Sequence, residues 1–131
     1  EHNGLVIPEA AQLLNRLEGF FDDYEPRPSL LHGDLWGGNA GFTPEGEPIM
    51  FDPAVYYGDR ETDIAFTYMF GGFDHQFYQG YEAVWPLNVG FEQRKPLYNL
   101  YHELNHYNLF GGGYGVQAHH TIRQLVSCQF N

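Results

Sequence analysis

The sequence predicts one α+β domain, mainly helical, with a small β-ribbon. Three observations predict it. Five stretches read as helices, most with apolar residues at helical spacing. Two short extended runs flank Pro44-Glu45-Gly46-Glu47, whose proline and glycine suit a hairpin turn. The chain has 131 residues, 43% hydrophobic and 18% aromatic, enough to bury one core and too few for two independent ones.

The elements follow in order. Pro8 to Tyr24 carries Leu13, Leu17, Phe20, Phe21 and Tyr24 on one face, and Pro8 fits a first helical turn. Pro26-Arg27-Pro28 cannot continue that helix, so Ser29-Leu30-Leu31 reads as an extended run entering a loop at His32-Gly33-Asp34. Asn39 to Thr43 and Ile49 to Phe51 form the ribbon. Thr62 to Phe70 is apolar nearly all round, the pattern of a central buried helix, with Gly71-Gly72 ending it. His75 to Trp85 is a further helix, stopped by Pro86. Phe91 to Phe110 is the longest, with Pro96 marking its first turn or a kink and Gly111-Gly112-Gly113 closing it. A last helix is expected from about Val116 to about Phe130.

Charge and cysteine content exclude several functions. Seventeen acidic residues against six basic give a net charge of -11, with no basic run, so neither nucleic acid nor an anionic membrane surface is an expected partner. If the ligand is an anion such as ATP, a divalent cation must sit between carboxylates and phosphate, and magnesium is the natural one. Cys128 is the single cysteine, which rules out an internal disulfide and suits a reducing compartment, the cytoplasm by default. No apolar run approaches the roughly twenty residues of a membrane span, and Glu1-His2-Asn3-Gly4 carries no signal pattern. With no starting methionine and a helix almost at once, the chain is expected to be cut from something longer. Its oligomeric state is left open.

The stretch His32-Gly33-Asp34-Leu35-Trp36-Gly37-Gly38-Asn39, followed by Phe51-Asp52-Pro53, carries the chemistry. A kinase catalytic loop places an Asp, four residues, then an Asn, with a later Asp closing a strand. Asp34, Asn39 and Asp52 fall in that order. The first must orient and deprotonate an alcohol, which needs a carboxylate. The other two must hold a hard cation, which needs carboxylate and amide oxygens. Singly, each is also an ordinary turn former; the whole set, with a ribbon between its members, points to phosphoryl transfer.

HGDLWGGN, FDPAVYYGDRETDIA and GFEQRKPLYNLYHELNHYNLFGGGY together resemble the fructosamine kinase, or ketosamine-3-kinase, family, relatives of the aminoglycoside phosphotransferases. The resemblance covers nearly the whole chain and implies the C-terminal, large lobe of a protein-kinase-like fold. It implies ATP-dependent phosphorylation of the 3-hydroxyl of ketosamines, with Asp34 as catalytic base and Asn39 and Asp52 as magnesium ligands. His32 is then a loop-stabilising residue, and Asp63 the helix aspartate that accepts backbone hydrogen bonds from the loop. Trp36 becomes a candidate wall for the sugar, since aromatic faces stack on pyranose C–H surfaces, with core packing as the alternative. Gly37 stands where the family pattern more often has Ser.

Kinases of this fold also need an N-terminal lobe, with a loop over the phosphates and a strand lysine. Lys95 is the one lysine and lies in helical sequence, so that lobe is expected to be missing here and the isolated chain to be inactive. Two rival readings remain. His102-Glu103-Leu104-Asn105-His106 matches the H-E-x-x-H of zinc metalloproteases, although no Asp or Glu follows His106, leaving His119 and His120 as further ligands. The aromatic content would also suit a non-enzymatic, self-associating module.

Overall fold

The computed structural model describes residues 7–128. Helices α1 (Ala10–Leu14), α2 (Arg60–Thr67), α3 (His75–Val84), α4 (Phe91–Phe110) and α5 (Gly113–Val126) combine with strands β1 (Pro28–Leu31), β2 (Ala40–Phe42), β3 (Pro48–Met50) and β4 (Tyr56–Asp59). The backbone clusters into two compact units, residues 7–24 with 90–128, and Glu25–Val89.

The first unit is helical. Leu13, Phe20, Leu100, Ala118, Ile122 and Leu125 form its core, with Ile7, Leu17, Phe21, Leu97, Leu104 and Val126 packed against them. The predicted helix from Pro8 to Tyr24 is instead α1 followed by a 3₁₀ turn at Leu17–Phe21. Arg16 sits at the break, and its guanidinium donates to the carbonyls of Val126, the last residue of α5, and of Cys128 just beyond it. Leu13 and Phe20 reach the core on either side of that break, so the apolar spacing survives while the hydrogen-bond pattern does not. Glu9 also meets α5, through His119 at 3.2 Å and Arg123 at 3.3 Å.

Helix α4 has the predicted bounds. Pro96 lies in its second turn, where the missing N–H costs one intrahelical bond without ending the helix. Gly111 and Gly112, at φ 67° and 63°, make the turn that follows, with positive φ values that residues carrying a side chain rarely adopt. Gly113 then opens α5, three residues earlier than expected; α5 ends at Val126, and the predicted end at Phe130 lies outside the described residues.

The second unit is built from two antiparallel pairs and two helices. β1 pairs with β4, Leu31 opposite Tyr56 and Pro28 opposite Asp59, and β2 pairs with β3, Ala40 opposite Met50. The hairpin turn is closed by Thr43, whose N–H donates to the Glu47 carbonyl and whose hydroxyl oxygen accepts the Glu47 N–H. β4 was not anticipated, since Val55-Tyr56-Tyr57-Gly58 has no apolar/polar alternation; Tyr57 is 74% exposed and is not a core residue.

Helix α2 starts two residues earlier than predicted because Asp59 caps it, accepting the Glu61 N–H at 3.0 Å. It ends at Thr67, whose hydroxyl bonds back to the Ile64 carbonyl. Ile64, Ala65 and Phe66 are buried, together with Leu31 and Leu35 on either side of the loop. Asp74 caps α3, accepting the Phe77 N–H. Among the described residues, no helix is long and apolar enough to cross a membrane.

Candidate functional site

The loop that leaves β1 is anchored by two apolar residues, Leu31 at 2% exposure and Leu35 at 5%, so the residues between them must turn back on themselves. Buried N–H groups in such a turn require acceptors. Asp63, in the first turn of α2, supplies them: its Oδ2 accepts the His32 N–H at 2.8 Å and its Oδ1 the Gly33 N–H at 3.0 Å. Gly33 has φ +88°, and a Cβ there would lie 2.0 Å from the Ala54 carbonyl oxygen, so both dihedral and space demand glycine.

His32 ties this loop to the end of the ribbon. Its carbonyl accepts the Ala54 N–H at 2.8 Å. Its Nδ1 accepts the Asp34 N–H at 3.2 Å, which leaves the proton on Nε2, and Nε2 donates to the Phe51 carbonyl at 2.8 Å. One ring thereby links the backbone of Asp34 to the residue before Asp52.

Asn39 closes the loop from the other side. It is 7% exposed, and its Nδ2 donates to the Asp34 carbonyl at 2.9 Å and to Asp34 Oδ2 at 3.1 Å. With the amide nitrogen so engaged, Oδ1 is the atom left to meet a cation. The Phe51 N–H donates to the Asn39 carbonyl at 3.0 Å, extending the β2–β3 ladder so that Asp52 follows directly. Asp52 is exposed and has φ 50°, the non-glycine residue in the left-handed region among those described. Such backbone is uncommon and Asp tolerates it better than most; where it occurs at a bend, it redirects the side chain. The oxygen donors of Asn39 and Asp52, one amide and one carboxylate, fit a hard divalent cation such as magnesium and offer no sulfur or imidazole that would favour a softer metal.

Trp36 lies on the loop itself. Its six-membered ring covers Gly38, where a Cβ would come within 2.4 Å of the indole, and its centroid is 5.8 Å from that of Phe70. At 39% exposure it is pinned on two sides and open on the rest. No atom lies within 4 Å of where a Cβ on Gly37 would sit, so a serine there would meet no obstacle. Phe70, just past the end of α2, carried no signal in the sequence beyond its place in an apolar run.

The structure therefore brings Asp34 and Asn39 into direct contact, binds His32 and Asp63 to the same loop, sets Asp52 one residue beyond the ribbon, and rests Trp36 on Gly38. No comparable convergence exists for the zinc reading. His102, Glu103 and His106 lie on α4, where His106 Nδ1 engages the His102 carbonyl at 2.7 Å, a bond within its own helix. Glu103 is 6% exposed and accepts the Thr121 hydroxyl at 3.1 Å, so it is committed to the α4–α5 packing rather than to a water on a metal. Burial raises its carboxyl above the ordinary range, outweighing the opposing bond from Thr121. Among the described residues, no three His, Cys, Asp or Glu side chains are grouped to hold a metal. The geometry on α4 does not favour the H-E-x-x-H reading.

Comparison with known proteins points to one family. The family model described as Fructosamine kinase matches residues 1–128. A protein of Synechocystis named a probable ketoamine kinase is 52% identical over 122 residues, covering 93% of this chain and 39% of that protein. Among solved structures, one from Thermobifida fusca named for a fructosamine-3-kinase superposes with a TM-score of 0.82 at 32% identity, covering 96% of this chain and 45% of that one. The choline kinase of Streptococcus pneumoniae superposes with a TM-score of 0.63 at 14% identity, over 96% of this chain and 52% of its own; that likeness is one of fold, the protein-kinase-like fold. The chain thus spans about two fifths of the length of the curated relatives it matches.

Proposed function

Because the chain belongs to the fructosamine kinase family, we propose that it forms the large, phosphoryl-transfer lobe of a kinase that moves the γ-phosphoryl group of ATP to the 3-hydroxyl of a ketosamine. The observation that carries this reading is the closed loop around Asp34: Asn39 donates to its backbone and its carboxylate, while Asp63 fixes the two preceding N–H groups.

In the reaction, Asp34 accepts a hydrogen bond from the sugar hydroxyl and takes its proton as the oxygen bonds to the γ-phosphorus and the bond from phosphorus to the ADP oxygen breaks. Little covalent work falls to the protein, so rate depends on holding that carboxylate in line. Asn39, by donating to Asp34 Oδ2, leaves Oδ1 as the carboxylate oxygen turned to substrate. Asn39 Oδ1 and the Asp52 carboxylate would hold magnesium, which when bound neutralises charge on the phosphates. His32 and Asp63 do no chemistry: they keep the turn from relaxing. Trp36, rigid and open on one face, suits the apolar face of a sugar ring. With a single cysteine, the protein suits a reducing, cytoplasmic setting.

The test is ATP- and magnesium-dependent phosphorylation of a fructosamine by the intact protein, wild type against Asp34→Asn. Product from wild type alone supports both reaction and base. Equal product from both removes Asp34 from its role, and product from neither removes the substrate class. These residues by themselves, without a strand lysine over the phosphates, should turn over negligibly; rapid turnover by the chain alone would overturn that expectation.

A further inference from the structure

Arg60 is the first residue of α2 and is 8% exposed. A guanidinium buried to that extent needs acceptors for its N–H groups, because a charge without partners away from water is costly. The acceptors lie at the far end of α3. Nη1 donates to the Tyr81 hydroxyl at 3.1 Å and to the Trp85 carbonyl at 2.8 Å, and Nη2 donates to the Pro86 carbonyl at 2.6 Å. The guanidinium carbon sits 3.8 Å from the centre of the Trp85 ring and 5.5 Å from that of Tyr81. Trp85 is the C-cap of α3, so the positive charge meets carbonyls at a helix C-terminus, where the helix dipole favours a cation.

Three residues on, at a neighbouring position of the helix surface, stands Asp63 with the N–H groups of His32 and Gly33. Helix α2 has eight residues, too few to hold a position by intrinsic helicity, so its placement depends on what its side chains grip. At one position it grips the turn before Asp34, and at another the exit of α3.

We infer that Arg60 is a positioning residue for phosphoryl transfer: by pinning α2 to Trp85 and Pro86, it fixes where Asp63 presents its carboxylate and so how the loop aims Asp34. The inference rests on Asp34 being the base. Lysine can replace it only in part: an ammonium keeps the charge but has neither the fork that reaches two carbonyls nor the plane that lies on an indole.

The experiment uses the intact protein as wild type, Arg60→Met, Arg60→Lys and Trp85→Leu, with Leu125→Ala as a control in the helical unit. In Arg60→Met, backbone amide exchange at His32 and Gly33 should accelerate at least about tenfold relative to amides of α5. The same variant should lose kcat on the order of tenfold to a hundredfold, with KM for ATP and for the ketosamine nearly unchanged. Arg60→Lys should recover part of each. Leu125→Ala should melt earlier and, assayed below its melting range, keep both kcat and the protection of His32 and Gly33. Unchanged protection of those two amides in Arg60→Met overturns the inference, as does a wild-type kcat in a variant that merely melts earlier. If Arg60→Met does not fold, Trp85→Leu, which keeps the charge and removes the stacked ring, carries the same two expectations at smaller size. A wild-type protein without kinase activity overturns the proposed function instead, and amide exchange then still decides whether Arg60 holds the loop.

Discussion

Between α4 and α5 the buried contacts are mostly carbon on carbon, with Leu100, Ala118, Ile122 and Leu125 at their centre and Glu103 as a buried carboxyl among them. Around Asp34 the contacts are chiefly hydrogen bonds: the His32 and Gly33 N–H groups donate to Asp63, the Asp34 N–H to His32, and the Asn39 amide to the Asp34 carbonyl and carboxylate. Apolar packing is non-directional and stabilises in proportion to area, so it supplies stability and tolerates small shifts. Hydrogen bonds contribute less net stability each, yet they fix distance and angle. A phosphoryl-transfer loop needs the second property, and a helical scaffold the first.

Four substitutions sharpen that contrast. Asp34→Asn leaves the loop's shape and removes its base, so turnover should fall about 10²- to 10⁴-fold while the melting temperature stays within a degree or two. A matching loss of stability would mean that Asp34 belongs to the scaffold. Leu125→Ala should do the reverse, costing about 2–5 kcal/mol in chemical denaturation with turnover per folded molecule unchanged. Gly33→Ala tests whether backbone geometry matters as much as side chains. Its Cβ would collide with the Ala54 carbonyl, so a loss of roughly 1–3 kcal/mol in stability should accompany a drop in kcat. A stable, fully active Gly33→Ala protein would show that the turn is not rigid.

The smallest effect concerns Glu103. Burial raises its carboxyl in the folded protein, so the folded state holds the proton more tightly than the unfolded chain does. The contribution of this one group to stability is then fully present at pH below the ordinary carboxylate range and is lost as pH rises from there through the raised folded value. Because the charged carboxylate is the form that burial disfavours, Glu103→Gln, which cannot ionise, should flatten that decline and gain on the order of 1 kcal/mol at neutral pH. Denaturation curves across pH that keep the wild-type slope in Glu103→Gln would reject the assignment.

Much of this was legible beforehand, and the reasons differ by element. Helix α4 was readable because twenty residues average over many apolar positions. The break at Arg16 was not, since the partners its guanidinium meets there, the carbonyls of Val126 and Cys128, lie more than a hundred residues away along the chain. Strand β4 escaped because its two tyrosines, on opposite faces, are both exposed and leave no alternation to read, while its backbone pairs with β1. At the site, Asp34, Asn39 and Asp52 were named by spacing, whereas Phe70 beside Trp36 and the grip of Arg60 on Trp85 carried no local signal.

The sequence by itself determined the residue types and their order: a carboxylate, then an amide, then a second carboxylate, on either side of a hairpin turn. Those depend on local chemistry and short separations, which a string of residues records. Tertiary structure alone decided which partner each group meets. It gave Asp63 to the N–H groups of His32 and Gly33, committed Glu103 to Thr121 rather than to a metal, and set Arg60 against the end of α3. Those choices follow from buried polar groups having to find acceptors or donors wherever the folded backbone brings them, and that is a property of three-dimensional proximity rather than of spacing along the chain.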